Sequence, residues 1–152
     1  MKKRVFCFIM VVIVALSLTA CGSKGEGSWE YIEKKGTFIL GLDDSFPPMG
    51  FRDDDNNIVG FDVDLAKAVC EKLGVELVLQ PIKWTAKEQE LNTKNIDCIW
   101  NGFSVTEERL ANLTMSIPYM ENTIAMVVVK DSGIKNKADM AGKRLAVQGG
   151  SS

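Results

Sequence analysis

The apolar positions of this chain change period several times, and each change marks an element. Trp29 to Lys35 reads as a short lead-in helix closed by Gly36. Thr37-Phe38-Ile39-Leu40-Gly41-Leu42 comes next as an apolar run of strand length. From Gly60 to Leu73 the period lengthens. Leu65, Val69 and Leu73 recur at every fourth residue, with Ala66 and Cys70 alongside, while Lys67, Glu71 and Lys72 face away. That pattern predicts an amphipathic helix with Asp62 as N-cap, Asp64 adding charge to the first turn and Gly74 ending it. Val75 to Gln80 is a second strand, Thr85 to Thr93 a helix with Leu91 inward, and Asp97 to Trp100 a third strand. Thr123 to Lys130 is the most apolar strand candidate beyond the amino-terminal segment. Asp131-Ser132-Gly133 interrupts it, Lys137 to Ala141 makes a short helix closed by Gly142, and Arg144 to Val147 begins another strand. Strand, helix, strand, helix at this spacing predicts parallel βαβ units and an α/β fold.

The amino terminus obeys a different logic. Lys2-Lys3-Arg4 followed by Val5 to Leu18 is a positive region and an apolar region of secretory length, short for a membrane span. It ends in Leu18-Thr19-Ala20-Cys21, which resembles the lipobox of bacterial lipoproteins. The expectation is a lipoprotein signal peptide over residues 1–20 and diacylglycerol or palmitate on Cys21, anchoring an exported protein to the cell membrane. An ordinary signal peptide with an incidental cysteine is the alternative. Gly22 to Ser28 is small and polar, suited to a tether over residues 21–28.

Composition narrows the chemistry. The 152 residues carry a formal charge of −2 with no basic cluster, which argues against a nucleic-acid partner. Histidine is absent, removing the usual general base and the commonest metal ligand. Asp53, Asp55, Asn57 and Asp64 stand at four places of a calcium loop. However, Ile58 occupies the glycine place and the twelfth place lacks glutamate, so Asp53 to Asn57 reads as a solvated hairpin tip. No metal and no cofactor are expected. Cys70 and Cys98 lie within apolar patterns and read as buried free thiols, although a disulfide outside the cytoplasm is the alternative.

The chemistry concentrates where the third strand ends. Trp100-Asn101-Gly102-Phe103-Ser104 is a turn, and Thr106 with Glu107 and Glu108 behind it is a helix start with Thr106 as N-cap. Unpaired amides, the Ser104 hydroxyl and the planar fork of Arg109 together make an anion clamp. The plainer reading puts Arg109 on a solvated helix face against a glutamate. Asp43 and Phe46 lie beyond the first strand, at the edge where open α/β sheets bind ligands, though a turn aspartate and a core phenylalanine explain them equally on local grounds.

Gly60 to Leu73 also resembles, position by position, the signature of the extracellular solute-binding proteins that serve polar amino-acid transporters. The Asp43-to-Phe51 loop, Trp84 after Pro81-Ile82, and Trp100 to Arg109 are similar to the same family, from about Trp29 onward. The resemblance implies a bilobal, periplasmic-binding-protein-like (type II) fold. Residues 29–123 would be the first lobe, 124–130 a crossover hinge strand, and 131–152 the start of a second lobe that ends early. It implies that Arg109 grips a ligand carboxylate with Ser104 and backbone amides near it, and that Gly102 accepts from the ligand amino group. Trp84 and Phe46 would wall the side chain, Asp43 would meet its end, Ser152 would cap the carboxylate and Gln148 would lie close by. The family's second-lobe carboxylate has no counterpart in this sequence.

The function so implied is a lipid-anchored receptor, not an enzyme, that takes a free polar amino acid and passes it to the permease subunits of an ABC importer. A periplasmic enzyme on the same fold is one alternative, and an interaction lipoprotein or split-gene fragment is another. With one lobe, the chain is expected to be marginally folded, to self-associate and to bind amino acids weakly or not at all. A reading frame continuing past Ser152 would show a piece of a longer receptor.

Overall fold

A computed structural model describes residues Ser28–Ser151. Residues 1–27, among them Cys21 on which lipid is expected and all but Ser28 of the expected tether, and Ser152 lie outside the described residues. The chain divides into two units, one ending at Gly36 and one beginning at Thr37. Of the first, helix α1 (Ser28–Lys35) is described, and Gly36, in the left-handed region at φ 74°, closes it by donating its amide to the Ile32 carbonyl.

The second unit is built around strand β1 (Thr37–Leu42). β1 pairs in parallel with β5 (Glu76–Pro81), Thr37 opposite Glu76 through Leu42 opposite Pro81. On its other side it pairs in parallel with the short β6 (Cys98–Ile99), Leu40 opposite Cys98. Asp97 extends that edge, accepting the Ile39 amide on Oδ2 at 2.7 Å and donating its own amide to the Ile39 carbonyl at 2.8 Å. The connections are helix α2 (Phe61–Leu73) and a 3₁₀ turn (Trp84–Ala86) running into α3 (Lys87–Asn92). The sheet order β5-β1-β6 places the reversal of strand order at β1. All three strands present their carboxyl ends on one edge, where a ligand crevice forms in such sheets.

Between β1 and α2 lies a small antiparallel sheet of β2 (Ser45–Phe46), β3 (Gly50–Arg52) and β4 (Ile58–Val59). Its tip is the acidic stretch Asp53 to Asn57. Asp53 is committed to the turn, its carboxylate accepting the amides of Asp55 at 3.0 Å and Asn57 at 2.8 Å. That arrangement is a side-chain-capped hairpin tip. The core joins Leu40, Leu42, Val63 and Ala66, with Phe38, Ile58, Leu77, Leu79 and Trp100 packed against them.

Several local expectations change. The buried face of α2 is Val63, Ala66 and Cys70 with Asp62, whereas Leu73 is exposed. The stripe rotates because Val63 and Ala66 are the helix residues that join Leu40 and Leu42 of β1 in the core. Residues 123–130 form no strand, and neither do residues 144–147. Their apolar side chains have no ladder to join among the described residues, and Val127 and Val129 stay exposed. The short helix expected over Lys137 to Ala141 is a single 3₁₀ turn, Lys137–Met140, fastened by an Asn136–Asp139 capping box. Cys70 and Cys98 are free thiols.

Candidate functional site

The site assembles from the segments that leave the carboxyl ends of the parallel strands. After β1 comes Asp43, whose amide donates to Asn101 Oδ1 at 2.6 Å and so ties the end of β1 to the turn after β6. The Asp43 carboxylate accepts from the Ser45 amide (3.0 Å) and hydroxyl (2.6 Å) on Oδ1, and from Gln148 Nε2 (2.7 Å) on Oδ2. Burial alone would raise its pKa. The Ser45 and Gln148 donors outweigh burial and hold the group below its ordinary value, so it stays ionised.

After β6 the chain turns through Asn101 and Gly102. Gly102 sits at φ 60°, and a Cβ there would lie 3.4 Å from the Phe46 ring, so glycine suits both the backbone and the aromatic beside it. The Gly102 amide donates to Asp62 Oδ2 at 2.7 Å, and Tyr119 Oη donates to Asp62 Oδ1 at 2.8 Å. This corrects the role expected of Asp62. Helix α2 starts two residues earlier, with Gly60 at the cap position and no side-chain cap bond. Asp62, 1% exposed, instead reaches across to brace the binding turn. Burial raises its pKa, and the Tyr119 and Gly102 donors only partly oppose that. Gly60 is held to its residue type by space, since a Cβ there would run into the Met49 carbonyl.

Helix α4 (Glu107–Asn112) opens as expected. Thr106 is the N-cap, its hydroxyl accepting the Arg109 amide at 3.2 Å. One turn in, Arg109 is 9% exposed rather than on a solvated face. Its Nη1 donates to the Ser104 carbonyl at 2.8 Å, and its Cζ stands 4.0 Å from the centroid of Phe103. The guanidinium is planar by its own delocalisation, and the ring beside it restricts where that fork can sit, which favours bidentate recognition of a carboxylate.

These groups surround one cleft of about 170 Å³. Asp43, Phe46, Trp84, Gly102, Ser104, Arg109 and Gln148 all line it. Residues expected from distant parts of the sequence, Asp43 and Gln148 being 105 positions apart, therefore meet in one place. Ser152 falls outside the described residues. Phe46, Gly102, Phe103 and Ser104 also border a neighbouring cleft of about 580 Å³.

The model of the bacterial extracellular solute-binding proteins, family 3, matches residues 38–147, most of this chain. The chain belongs to this family. It is 36% identical over 149 residues to the arginine-binding extracellular protein ArtP of Bacillus subtilis, covering 98% of this chain and 57% of that protein. An ABC uptake transporter substrate binding protein from Streptococcus pneumoniae with bound histidine superposes at TM-score 0.60 and 44% identity, covering 61% of this chain and 38% of that one. The arginine-bound form of domain 1 from TmArgBP, of T. maritima, superposes at TM-score 0.57 and 44% identity, covering 59% of this chain and 71% of that one. An ancestral cyclohexadienyl dehydratase shares the fold at TM-score 0.60 and 31% identity, covering 63% of this chain and 40% of that chain. The α/β body is thus a single lobe of the type II periplasmic-binding fold. The chain spans about half the length of the curated relatives it matches.

Several residues of this family 3 lobe's cleft are not expected from the sequence. Phe103, Asn101, Asn122, Ile124 and Ser151 also line it. Asn101 is buried, with Nδ2 unpartnered among the described residues, and Asn122 Nδ2 donates to the Ser104 hydroxyl at 2.7 Å. Lys87 is the largest omission. It is 5% exposed, with Nζ 5.2 Å from the Trp84 ring centroid and 5.8 Å from that of Phe103. One signal is available in the sequence: Lys87 precedes the inward Leu91 by four residues, which puts both on one helical face.

Proposed function

We propose that this chain captures a polar amino acid outside the membrane and serves an ABC importer as its binding component. The observation that carries the proposal is Arg109, buried beside the Phe103 ring and lining a cleft that the ionised Asp43 also lines. A zwitterion needs an anion clamp and a dry slot, and here Arg109 with Ser104 supplies the first. Trp84 and Phe46 wall the second, and the Gly102 carbonyl is the acceptor we assign to the ligand amino group. Asp43 favours an amide or basic side chain on the ligand, as the arginine-binding name of ArtP also suggests. The arginine-bound form of domain 1 from TmArgBP supports binding by one lobe, so we expect the affinity to be weak but measurable.

Export on a lipid anchor at Cys21 completes the proposal, motivated by Lys2 to Cys21. Intact-mass measurement should give a mature protein that begins at a diacylglycerol-bearing Cys21. Retained Met1 or an unmodified Cys21 would sink that part. Receptor function itself is tested by calorimetric titration with a panel of amino acids, where saturable heat with at least one polar member is expected. The dehydratase among the structural neighbours motivates a second, enzymatic reading. Mass spectrometry of the same mixtures separates the two, because a receptor returns its ligand unchanged.

A further inference from the structure

The segment Gln148–Ser151 lies against the cleft, and a buried lysine outside the clamp fastens it. Lys87 Nζ donates to the Gly150 carbonyl at 2.9 Å and to the Trp84 carbonyl at 3.3 Å. Arg109 Nη2 approaches the same Gly150 oxygen at 3.4 Å, so two cationic donors converge on one carbonyl. Lys87 does not itself line the cleft. Gln148 makes the second tie through Asp43, and both Gln148 and Ser151 border the cleft. Gly150 sits at φ +75°, and a Cβ on it would stand 3.3 Å from Lys87 Nζ, so its backbone is shaped to present that carbonyl.

We propose that Lys87 is a positioning residue that latches the segment Gln148–Ser151 over the amino-acid cleft and so slows escape of the ligand. The ammonium is donated by the same lobe that holds Arg109. Its acceptor is a backbone carbonyl, so the latch does not depend on which side chain occupies position 150 beyond its freedom at positive φ. The edge-to-face Trp84 and Phe103 rings flank the Lys87 ammonium and connect the latch to the aromatic wall of the slot. A latch differs from a ligand contact in its kinetics: losing it raises the dissociation rate and leaves association nearly unchanged.

The ligand half of this proposal rests on the receptor function, and the test therefore has one arm without ligand. In that arm, nuclear magnetic resonance order parameters of the Gly149, Gly150 and Ser151 amides are measured on wild type, Lys87→Met and Gly150→Ala. Wild type should give rigid values, and both variants should fall toward those of flexible chain, below about 0.6. Unchanged order in Lys87→Met overturns the latch whether or not any amino acid binds. In the second arm, stopped-flow dissociation of the amino acid that binds best should be about tenfold faster in each variant, the scale of one hydrogen bond to a charged group. The double variant should be no faster than either single one. Equal dissociation rates in wild type and Lys87→Met, or strictly additive effects in the double variant, would reduce Lys87 to a support for the rings. Gly150→Ala lies outside the sheet and strains only its own turn at φ +75°, so the variant should still unfold cooperatively with at most a small fall in thermal midpoint, and a loss of folding there would count against the latch.

Discussion

Leu42 and Val127 sit in equally apolar runs, yet one is 1% exposed and the other 91%. Between Thr37 and Asn112 every apolar run finds a ladder or a helix, and the cleft stands on the edge where three strands end. From Leu113 to Ser151 the composition is no less apolar, but the described residues form no strand there and Ile117 is 86% exposed. Strand propensity is a statement about fitting a pleated, half-buried surface, and it is not realised without a neighbour to pair with. The second region still contributes to function through single contacts. Tyr119 reaches Asp62, Asn122 reaches Ser104, and Gln148 and Gly150 reach Asp43 and Lys87.

The largest effect that would break this contrast is a core truncation. Leu42→Ala should cost about 2–5 kcal/mol by chemical denaturation, whereas Val127→Ala should stay within about 0.5 kcal/mol. Equal costs would mean that residues 123–130 are packed after all. Asp62→Ala comes next, since it leaves the Gly102 amide without its acceptor and releases Tyr119. A loss of about 1–3 kcal/mol is expected, with weakened amino-acid binding because the turn carrying Gly102 loosens. A stability change without any change in affinity would separate the brace from the site.

The two carboxylates sharpen the comparison in one spectrum. Asp43 should titrate below its ordinary 3.8 and Asp62 above it. The signs of their stability contributions are opposite. Asp43 contributes stability that is present above 3.8 and lost as pH falls through its depressed folded pKa, where the Gln148 tie weakens. Asp62 binds its proton more tightly folded than unfolded, so its contribution falls as pH rises from 3.8 through its elevated folded pKa, and Asp62→Asn should abolish that slope. Carbon-detected carboxyl titration in which both groups move the same way would contradict the assignment.

The smallest effect concerns the thiols. Burial first, then Asp97 and Cys70, push Cys98 up to about 11, and burial raises Cys70. Both should react with a disulfide reagent at about pH 8 only after unfolding. Fast labelling of the native protein would place a thiol at the surface.

The features legible in the sequence are those that local pattern decides. The run Thr37 to Leu42 forms β1 with the expected bounds, Thr106 caps α4, and the Asp53 hairpin tip closes on itself. Asp62 resembles a cap in sequence because its true partners lie 40 and 57 residues away, and no window around it contains them. Apart from its spacing to Leu91, Lys87 gives no signal because lysine defaults to solvent, and the Trp84 and Phe103 rings with the carbonyls of Trp84 and Gly150 make a buried ammonium tolerable there. Residues 123–130 look like a strand by composition, a test that cannot see whether a partner strand exists. Arg109 and Ser104 are named in sequence as an anion clamp and Asp43 and Phe46 by their place after the first strand, whereas Trp84, Gln148 and Ser152 enter through family resemblance; all of these but Ser152, which lies outside the described residues, line the cleft.

The central claim is that the cleft of this lobe recognises a free amino acid through Arg109. Its most direct test is calorimetric titration of wild type, Arg109→Ala and Arg109→Lys with the amino acid that wild type binds best. Loss of a charge-assisted bidentate pair costs on the order of 2–5 kcal/mol when buried, so Arg109→Ala should abolish measurable binding. Arg109→Lys should weaken it at least about tenfold, because an ammonium cannot present the fork. Less than roughly a threefold change in Arg109→Ala would contradict the account and move recognition to another part of the cleft.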